Sequence, residues 1–250
     1  SYAGRVAFEV DSPAIERGTL FDLASVTKIA STTMIALRFI DRGWLRLEDK
    51  VSDFFPDATT SADLTIRQLL THTSGQPAHF LLEQELDDPA GIRELMLHRP
   101  LAYTPGERVE YSCMGFILLG EILQDRSGRS LSELLASEVT GPLGLEYLQY
   151  APVDPAQYSI AQTKDLSSGQ RLEGIVHDEN ARFQHGVSAN AGLFSNLEDL
   201  LSFGSMLAQG GRVNGETYLS PAVLRTATRN YTAAHDEHRG LGFFLGSTQG

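Results

Sequence analysis

From Leu23 to Ile40 the positions Val26, Ile29, Ala30, Thr33, Leu37 and Ile40 recur at steps of three and four residues, and Gly43 follows them. That spacing predicts a helix with one face on a core and a stop at the glycine. After a polar, proline-containing stretch, Asp49 to Asp63, the block Thr65 to His72 predicts a short helix closed by the turn Thr73-Ser74-Gly75. The turn residues Tyr103-Thr104-Pro105-Gly106-Glu107 precede a long apolar-periodic run, Cys113 to Leu123, that ends at Gly128. Tyr111 therefore falls on a loop at a helix entrance. Two Ser-x-x-Glu patterns, Ser130 with Glu133 and Ser195 with Glu198, read as capping boxes, and Ser220-Pro221 marks a further helix start. Strand-like segments are few and short: Arg5 to Glu9, Leu145 to Tyr150 and Leu241 to Leu245. Trp44 and the pair Phe54-Phe55 are expected in the core.

Composition narrows the picture. A chain of 250 residues with 42% hydrophobic content is long enough to bury a sizeable core, as one large domain or two interleaved lobes. Its net charge of −12 is spread along the chain, which argues against nucleic acid or anionic lipid as partner and for a small or neutral substrate. No stretch reaches the roughly 18 consecutive apolar residues of a membrane span, and Ser1 to Val10 lack the basic and apolar regions of an export signal. The single cysteine, Cys113, excludes an internal disulfide framework.

Candidate chemistry begins at Ser25-Val26-Thr27-Lys28. On a helix, residues three apart share a face one turn apart, so hydroxyl and amine can touch. A serine hydroxyl is a poor nucleophile at neutral pH, and an adjacent amine can take its proton during attack. At the helix start the free backbone N–H of Ser25 can face a developing oxyanion. With 21 serines and three lysines, such a pair arises by chance about one time in four, so the spacing needs a second element. Tyr111-Ser112-Cys113 supplies it, because a tyrosine beside a lysine ammonium can act as general base and later as acid to the leaving group.

In order and separation these elements resemble the class C β-lactamase superfamily, which also holds D-alanyl-D-alanine carboxypeptidases, muramyl-peptide amidases and carboxylesterases. The hallmarks are Leu20-Phe21-Asp22-Leu23-Ala24-Ser25-Val26-Thr27-Lys28, Leu69-Leu70-Thr71-His72-Thr73-Ser74-Gly75, Pro105-Gly106-Glu107 and Tyr111-Ser112. Val176-His177-Asp178-Glu179-Asn180-Ala181 and Ala191-Gly192-Leu193-Phe194-Ser195 look like a branch with peptidoglycan-processing members. The likeness covers about residues 18 to 245.

The resemblance implies an α+β, β-lactamase/transpeptidase-like fold, with an antiparallel sheet flanked by helices plus a mainly helical lobe. It would be a single domain of two lobes, residues 41–188 helical and residues 1–40 with 189–250 forming the sheet-and-helix lobe, and the site would lie in the cleft between them. It implies a bacterial serine hydrolase acting through a covalent acyl-enzyme on a β-lactam, a D-alanyl or muramyl peptide, or a carboxylic ester. Ser25, Lys28 and Tyr111 would be catalytic, and Cys113, His177, Asp178, Glu179 and Asn180 substrate-binding. No cofactor and no metal are needed, and the partner is a small-molecule or peptidoglycan-derived substrate. Compartment (envelope, secreted or cytoplasmic) and oligomeric state stay open.

Three departures accompany the likeness. Cys113 stands where the family's second motif usually ends in Asn or Asp, and a thiol makes weaker hydrogen bonds than either. It reads as a packed small residue rather than a second nucleophile. The third motif, Lys or His followed by a small residue and Gly, is expected after the Leu241 to Leu245 strand and so outside this sequence; His238-Arg239-Gly240 precedes that strand and is taken as coincidence. Most N-terminal strands of the family are also expected outside the sequence. Two rival functions stand against the hydrolase: a metal-dependent hydrolase using His177, Asp178, Glu179 and His185, whose spacing is no His-Glu-x-x-His, and a non-catalytic ligand-binding or sensor protein on the same fold. Gly186-Val187-Ser188-Ala189-Asn190 lacks the last glycine of an α/β-hydrolase elbow. His72 is assigned to a structural turn near the cleft.

Overall fold

The computed structural model describes residues 2–165 and 167–247. In chain order it contains β1 (Phe21–Asp22), α1 (Met34–Asp41), α2 (Val51–Phe54), α3 (Ile66–Leu70), α4 (Ile92–His98), α5 (Cys113–Ser127), α6 (Leu131–Leu134) and α7 (Gly141–Leu143). There follow β2 (Gln149–Tyr150), β3 (Thr163–Lys164), β4 (Arg171–Leu172), α8 (Glu179–Phe183), β5 (Leu193–Ser195), α9 (Leu197–Ala208), β6 (Arg212–Val213), β7 (Glu216–Thr217), α10 (Pro221–Ala227), β8 (Glu237–Arg239) and β9 (Phe244–Ser247). Wide π-helical turns, Lys28–Thr33 and Leu135–Thr140, run directly into α1 and out of α6. The protein is α+β, as the resemblance implies.

α5 is the hub. Met114, Phe116, Ile117, Leu118, Leu119, Ile122 and Leu123 are all buried, so this helix is apolar nearly all round and is covered on most sides. Each such side chain removed from water contributes about 1.5–3 kcal/mol. Helices α2, α3, α4 and α6 and the Lys28–Thr33 turn pack around it. Ser112 caps its start by accepting from the Gly115 N–H at 2.9 Å, and Gly128 ends it in the left-handed conformation at φ 68°.

β1, β5 and β2 form an antiparallel sheet with β5 in the middle, pairing Phe21 with Ser195, Asp22 and Gln149 with Phe194, and Tyr150 with Leu193. Successive strand residues face opposite sides, so Leu193 joins the main core around α5 while Phe194 joins a second cluster with Leu20, Val153, Ile160 and Val176. β2 lies inside the 41–188 interval expected to be helical, and so do β3 and β4, which form a two-stranded sheet of their own. β2 thus ties the 41–188 interval to β5 in the 189–250 interval.

Other elements also depart from the pattern. Arg5 to Glu9 is irregular apart from one bridge between Arg5 and Ala14, and only Gln149–Tyr150 of the Leu145 to Tyr150 segment is strand. The late strand begins at Phe244 rather than Leu241, and its partner Glu237–Arg239 is a strand the pattern missed. α9 is capped by Asn196, whose side chain accepts from the Asp199 N–H at 2.9 Å; the adjacent Ser195 is the last residue of β5 and its buried hydroxyl has no partner among the described residues. Trp44 is 46% exposed, its ring tilted against that of Phe39 and covered by Arg42, whereas Phe55 is buried as expected.

Candidate active site

The sheet delivers Ser25. Leu23 N–H donates to Leu193 O at 2.9 Å, and the chain then leaves β1 through Ala24, whose φ of 45° is left-handed. An L-residue there costs about 1–2 kcal/mol, which local bonds offset. Asp22 Oδ1 accepts from the Ala24 N–H at 2.8 Å, and Asp22 Oδ2 accepts from the His177 N–H at 2.7 Å. Thr27 Oγ1 accepts from Leu193 N–H at 3.1 Å, fastening the helix start to β5. Ser25 is thus exposed at the head of the helix, and its backbone N–H makes no hydrogen bond to a described residue.

One turn on, Lys28 is only 4% exposed. Its Nζ lies 3.1 Å from Ser25 Oγ, 2.9 Å from Asn190 O and 3.4 Å from Cys113 Sγ. These are three acceptors for three N–H bonds. The ammonium also sits 4.9 Å from the Tyr111 ring centroid. Tyr111 is 39% exposed, and its hydroxyl makes no hydrogen bond to a described residue. Structure therefore brings Ser25, Lys28, Tyr111 and Cys113 into one cluster from two separate stretches of chain, and Asn190 O joins it from a third.

The stretch from His177 to Asn180 frames this cluster. Asp178 caps α8 through the Ala181 N–H at 2.8 Å and accepts from Asn190 Nδ2 at 3.3 Å. Asn180, buried, accepts from Leu82 N–H and donates to Phe80 O, each at 2.8 Å. Its amide thus bonds the backbone of the loop around Leu82. His177 contacts Lys164 O through Nε2 at 3.1 Å, and Glu179 is half-buried in the first turn of α8. Asp178 and His177 thus point to separate partners; among the described residues the one group of side chains close enough to share a cation is Asp57, Glu94 and His98, far along the chain from this stretch.

Four contributors were given no role in the site by the sequence. Asn190 acts through its carbonyl, which carries no residue signature. Asp22 was legible in principle, since an Asp two residues before a helix turn is a common acceptor for the turn's N–H. His72 has φ 58°, and its ring lies 4.6 Å from that of Tyr111 and 5.0 Å from that of Phe116. Burial, with the positive charges of Arg239 and Lys28, holds the His72 imidazole well below its ordinary value of 6.5, so it is neutral. Arg239 on β8 stands 5.7 Å from the Tyr111 ring centroid and pairs with Glu237. The His238-Arg239-Gly240 run, set aside as coincidence, therefore borders the cluster through its arginine.

With that geometry in view, comparison with known proteins is specific. A family model described as Beta-lactamase matches residues 4–250. The chain is 30% identical over 243 residues to a "Putative D-alanyl-D-alanine carboxypeptidase" of Escherichia coli K12, covering 84% of this chain and 55% of that protein. It is 32% identical over 215 residues to an "N-acetylmuramyl-L-alanine amidase" of Bacillus subtilis, covering 73% of this chain and 48% of that one. Its fold matches the crystal structure of a penicillin binding protein from Bacillus halodurans with a TM-score of 0.75 at 23% identity, over 99% of this chain and 76% of the other. The chain spans about half the length of these two curated relatives.

Proposed function

The chain belongs to the beta-lactamase family, and we propose that it works as a serine hydrolase in which Ser25 forms a covalent acyl-enzyme. The observation that carries this reading is the Ser25 Oγ to Lys28 Nζ distance of 3.1 Å, with the amine buried and the hydroxyl exposed. In the neutral amine form, Lys28 has two N–H bonds and one lone pair. The N–H bonds stay on Asn190 O and Cys113 Sγ, and the lone pair turns to the Ser25 O–H.

Ser25 Oγ then bonds to the carbonyl carbon of an amide or ester, and its proton passes to Lys28. The carbonyl oxygen takes the developing charge, stabilised by the unpaired Ser25 N–H at the helix start. Tyr111, beside the ammonium, returns a proton to the departing amine or alcohol as the bond to it breaks. Water attacks the resulting ester and gives a proton to the Tyr111 phenolate, the acid is released, and Ser25 takes back the proton held on Lys28. The names of the two relatives favour peptidoglycan-derived amides as the substrate class, with β-lactams and carboxylic esters as probes of the same chemistry. Cys113, His177 and Glu179 are the proposed substrate contacts at the edge of this cluster.

The test is intact mass spectrometry of the full-length protein after incubation with a penicillin, an activated short-chain ester or a muramyl peptide, with mapping of the adduct. An adduct on Ser25 that appears and then clears supports the reading; one that forms and never clears supports the non-catalytic binding protein. Lys28→Ala should lower acylation by at least about a thousandfold, in line with losses on removing a nucleophile's base. Parent-like acylation by a folded Lys28→Ala protein rules Lys28 out.

A further inference from the structure

We propose that His72 is the positioning residue of Tyr111, a clasp that holds the tyrosine ring beside the Lys28 ammonium. The proposal rests on the reading of Ser25, Lys28 and Tyr111 given above. Three contacts, each of a different kind, converge from His72 on residues 110 to 112. The Glu110 N–H donates to His72 O at 2.9 Å, just before the tyrosine. The Ser112 N–H donates to His72 Nδ1 at 3.0 Å, just after it. Between them the imidazole lies against the Tyr111 ring, with centroids 4.6 Å apart and planes inclined by 35°. Tyr103 adds a fourth tie by donating its hydroxyl to His72 O at 3.3 Å.

The far side of the clasp is fixed as well. The imidazole stacks on Phe116, buried in α5, at 5.0 Å. Ser112 Oγ donates to Pro77 O at 2.7 Å, and Cys113 N–H donates to Ala78 O at 2.9 Å. The tyrosine itself has no hydrogen bond of its own to a described residue, so its placement depends on the backbone at both flanks and on the ring beneath it. The carbonyl contact to Glu110 is open to any residue at position 72, but a histidine that only packed would need no bond from the Ser112 N–H to its Nδ1. An acceptor at Nδ1 further requires the neutral ring with its proton on Nε2, which agrees with the charges that face it, Lys28 and Arg239.

The clasp is tested by a double-mutant cycle on the acylation rate of Ser25, with substrate affinity measured alongside. His72→Phe keeps a ring but removes the acceptor, and His72→Asn places an oxygen near the position of Nδ1 and tolerates left-handed φ. His72→Phe should slow acylation by about tenfold to a hundredfold with little change in affinity, the loss expected when a reacting group is misplaced by about 1 Å. His72→Asn should recover part of that loss. In a Tyr111→Phe background either substitution should cost less than about threefold, because the hydroxyl being positioned is gone. Equal losses with and without the Tyr111 hydroxyl overturn the clasp and leave His72 a packing residue. A Tyr111→Phe protein that acylates at the parent rate overturns the catalytic reading of Tyr111 and the clasp together, so the two failures are told apart. If His72→Phe does not fold, His72→Asn carries the cycle alone.

Discussion

His72 shows how one side chain couples chemistry to stability. Its neutral form accepts the Ser112 N–H, and burial with Arg239 and Lys28 keeps the proton off that nitrogen. The folded-state value lies below the ordinary 6.5, so as pH falls the unfolded chain takes up the proton first. Stability is then whole above about pH 6.5 and declines as pH drops from there, until His72 itself is protonated. The slope attributable to this residue approaches about 1.4 kcal/mol per pH unit. Urea midpoints of the parent should fall faster between about pH 6.5 and pH 5 than those of His72→Asn, once both are referred to neutral pH. Parallel pH profiles would mean that His72 carries its proton equally well folded and unfolded.

At the scale of elements, the site depends on how closely the 188–192 segment approaches α5. A Cβ added at Gly120 would lie 2.5 Å from Ala189 Cβ, a rigid atom next to the residue whose carbonyl holds Lys28. In an isolated helix Gly→Ala stabilises by about 0.5–1 kcal/mol. Here overpacking should win, and Gly120→Ala should destabilise by about 1–3 kcal/mol. Because Ala189 O also accepts from Thr32 Oγ1 at 2.7 Å, the shifted segment should drag on the Lys28–Thr33 turn, and acylation should slow beyond what the lost stability explains. Thermal melting and acylation rates together check this, and a more stable, fully active Gly120→Ala protein would contradict it.

The same scale explains what the sequence could disclose. Elements whose start and stop signals lie within a few residues were legible: Ser130 Oγ accepts from the Glu133 N–H and the Ser130 N–H donates to the Glu133 carboxylate in return, Ser220 accepts from Val223 N–H, and Gly128 ends α5. Ser195 was misread because Asn196 next to it competes for the same helix start, and the sheet claimed the serine. Strands of two residues, such as Gln149–Tyr150, are shorter than one period of alternation can reveal. Within the site, Ser25 and Lys28 were legible because three residues on a helix are neighbours in space. The Asn190 carbonyl, the Cys113 contact and Arg239 reach the cluster only through tertiary packing, which no local spacing encodes.

For the molecule as a whole, one buried carboxylate ties together elements distant in sequence. Glu138, 3% exposed, receives Arg38 Nε at 2.9 Å, Arg42 at 3.0 Å and Arg129 at 3.3 Å. Burial pushes its carboxyl up, but hydrogen bonds from Arg42 and Arg38 outweigh it and hold the group below the ordinary range. The Glu138 carbonyl also accepts from Tyr218 OH at 2.9 Å, and Arg38 donates to Tyr218 O at 2.8 Å. The cluster thus joins α1, the Leu135–Thr140 turn and the segment leading into α10. Neutralising the carboxylate leaves Arg38, whose side chain is 15% exposed, without its counter-charge, whereas Arg42 and Arg129 are about one-third exposed and partly served by water. Glu138→Gln should therefore cost about 3 kcal/mol, as breaking one side of a buried pair does, and Arg129→Ala under about 1 kcal/mol. Since the folded-state value is depressed, the parent's advantage over Glu138→Gln is present above the unfolded carboxyl value of 4.5 and is lost as pH falls below it. Denaturant titration at neutral and acidic pH measures both effects. Equal costs for Glu138→Gln and Arg129→Ala, or a Glu138→Gln deficit that persists undiminished in acid, would show that the carboxylate does not hold these elements together.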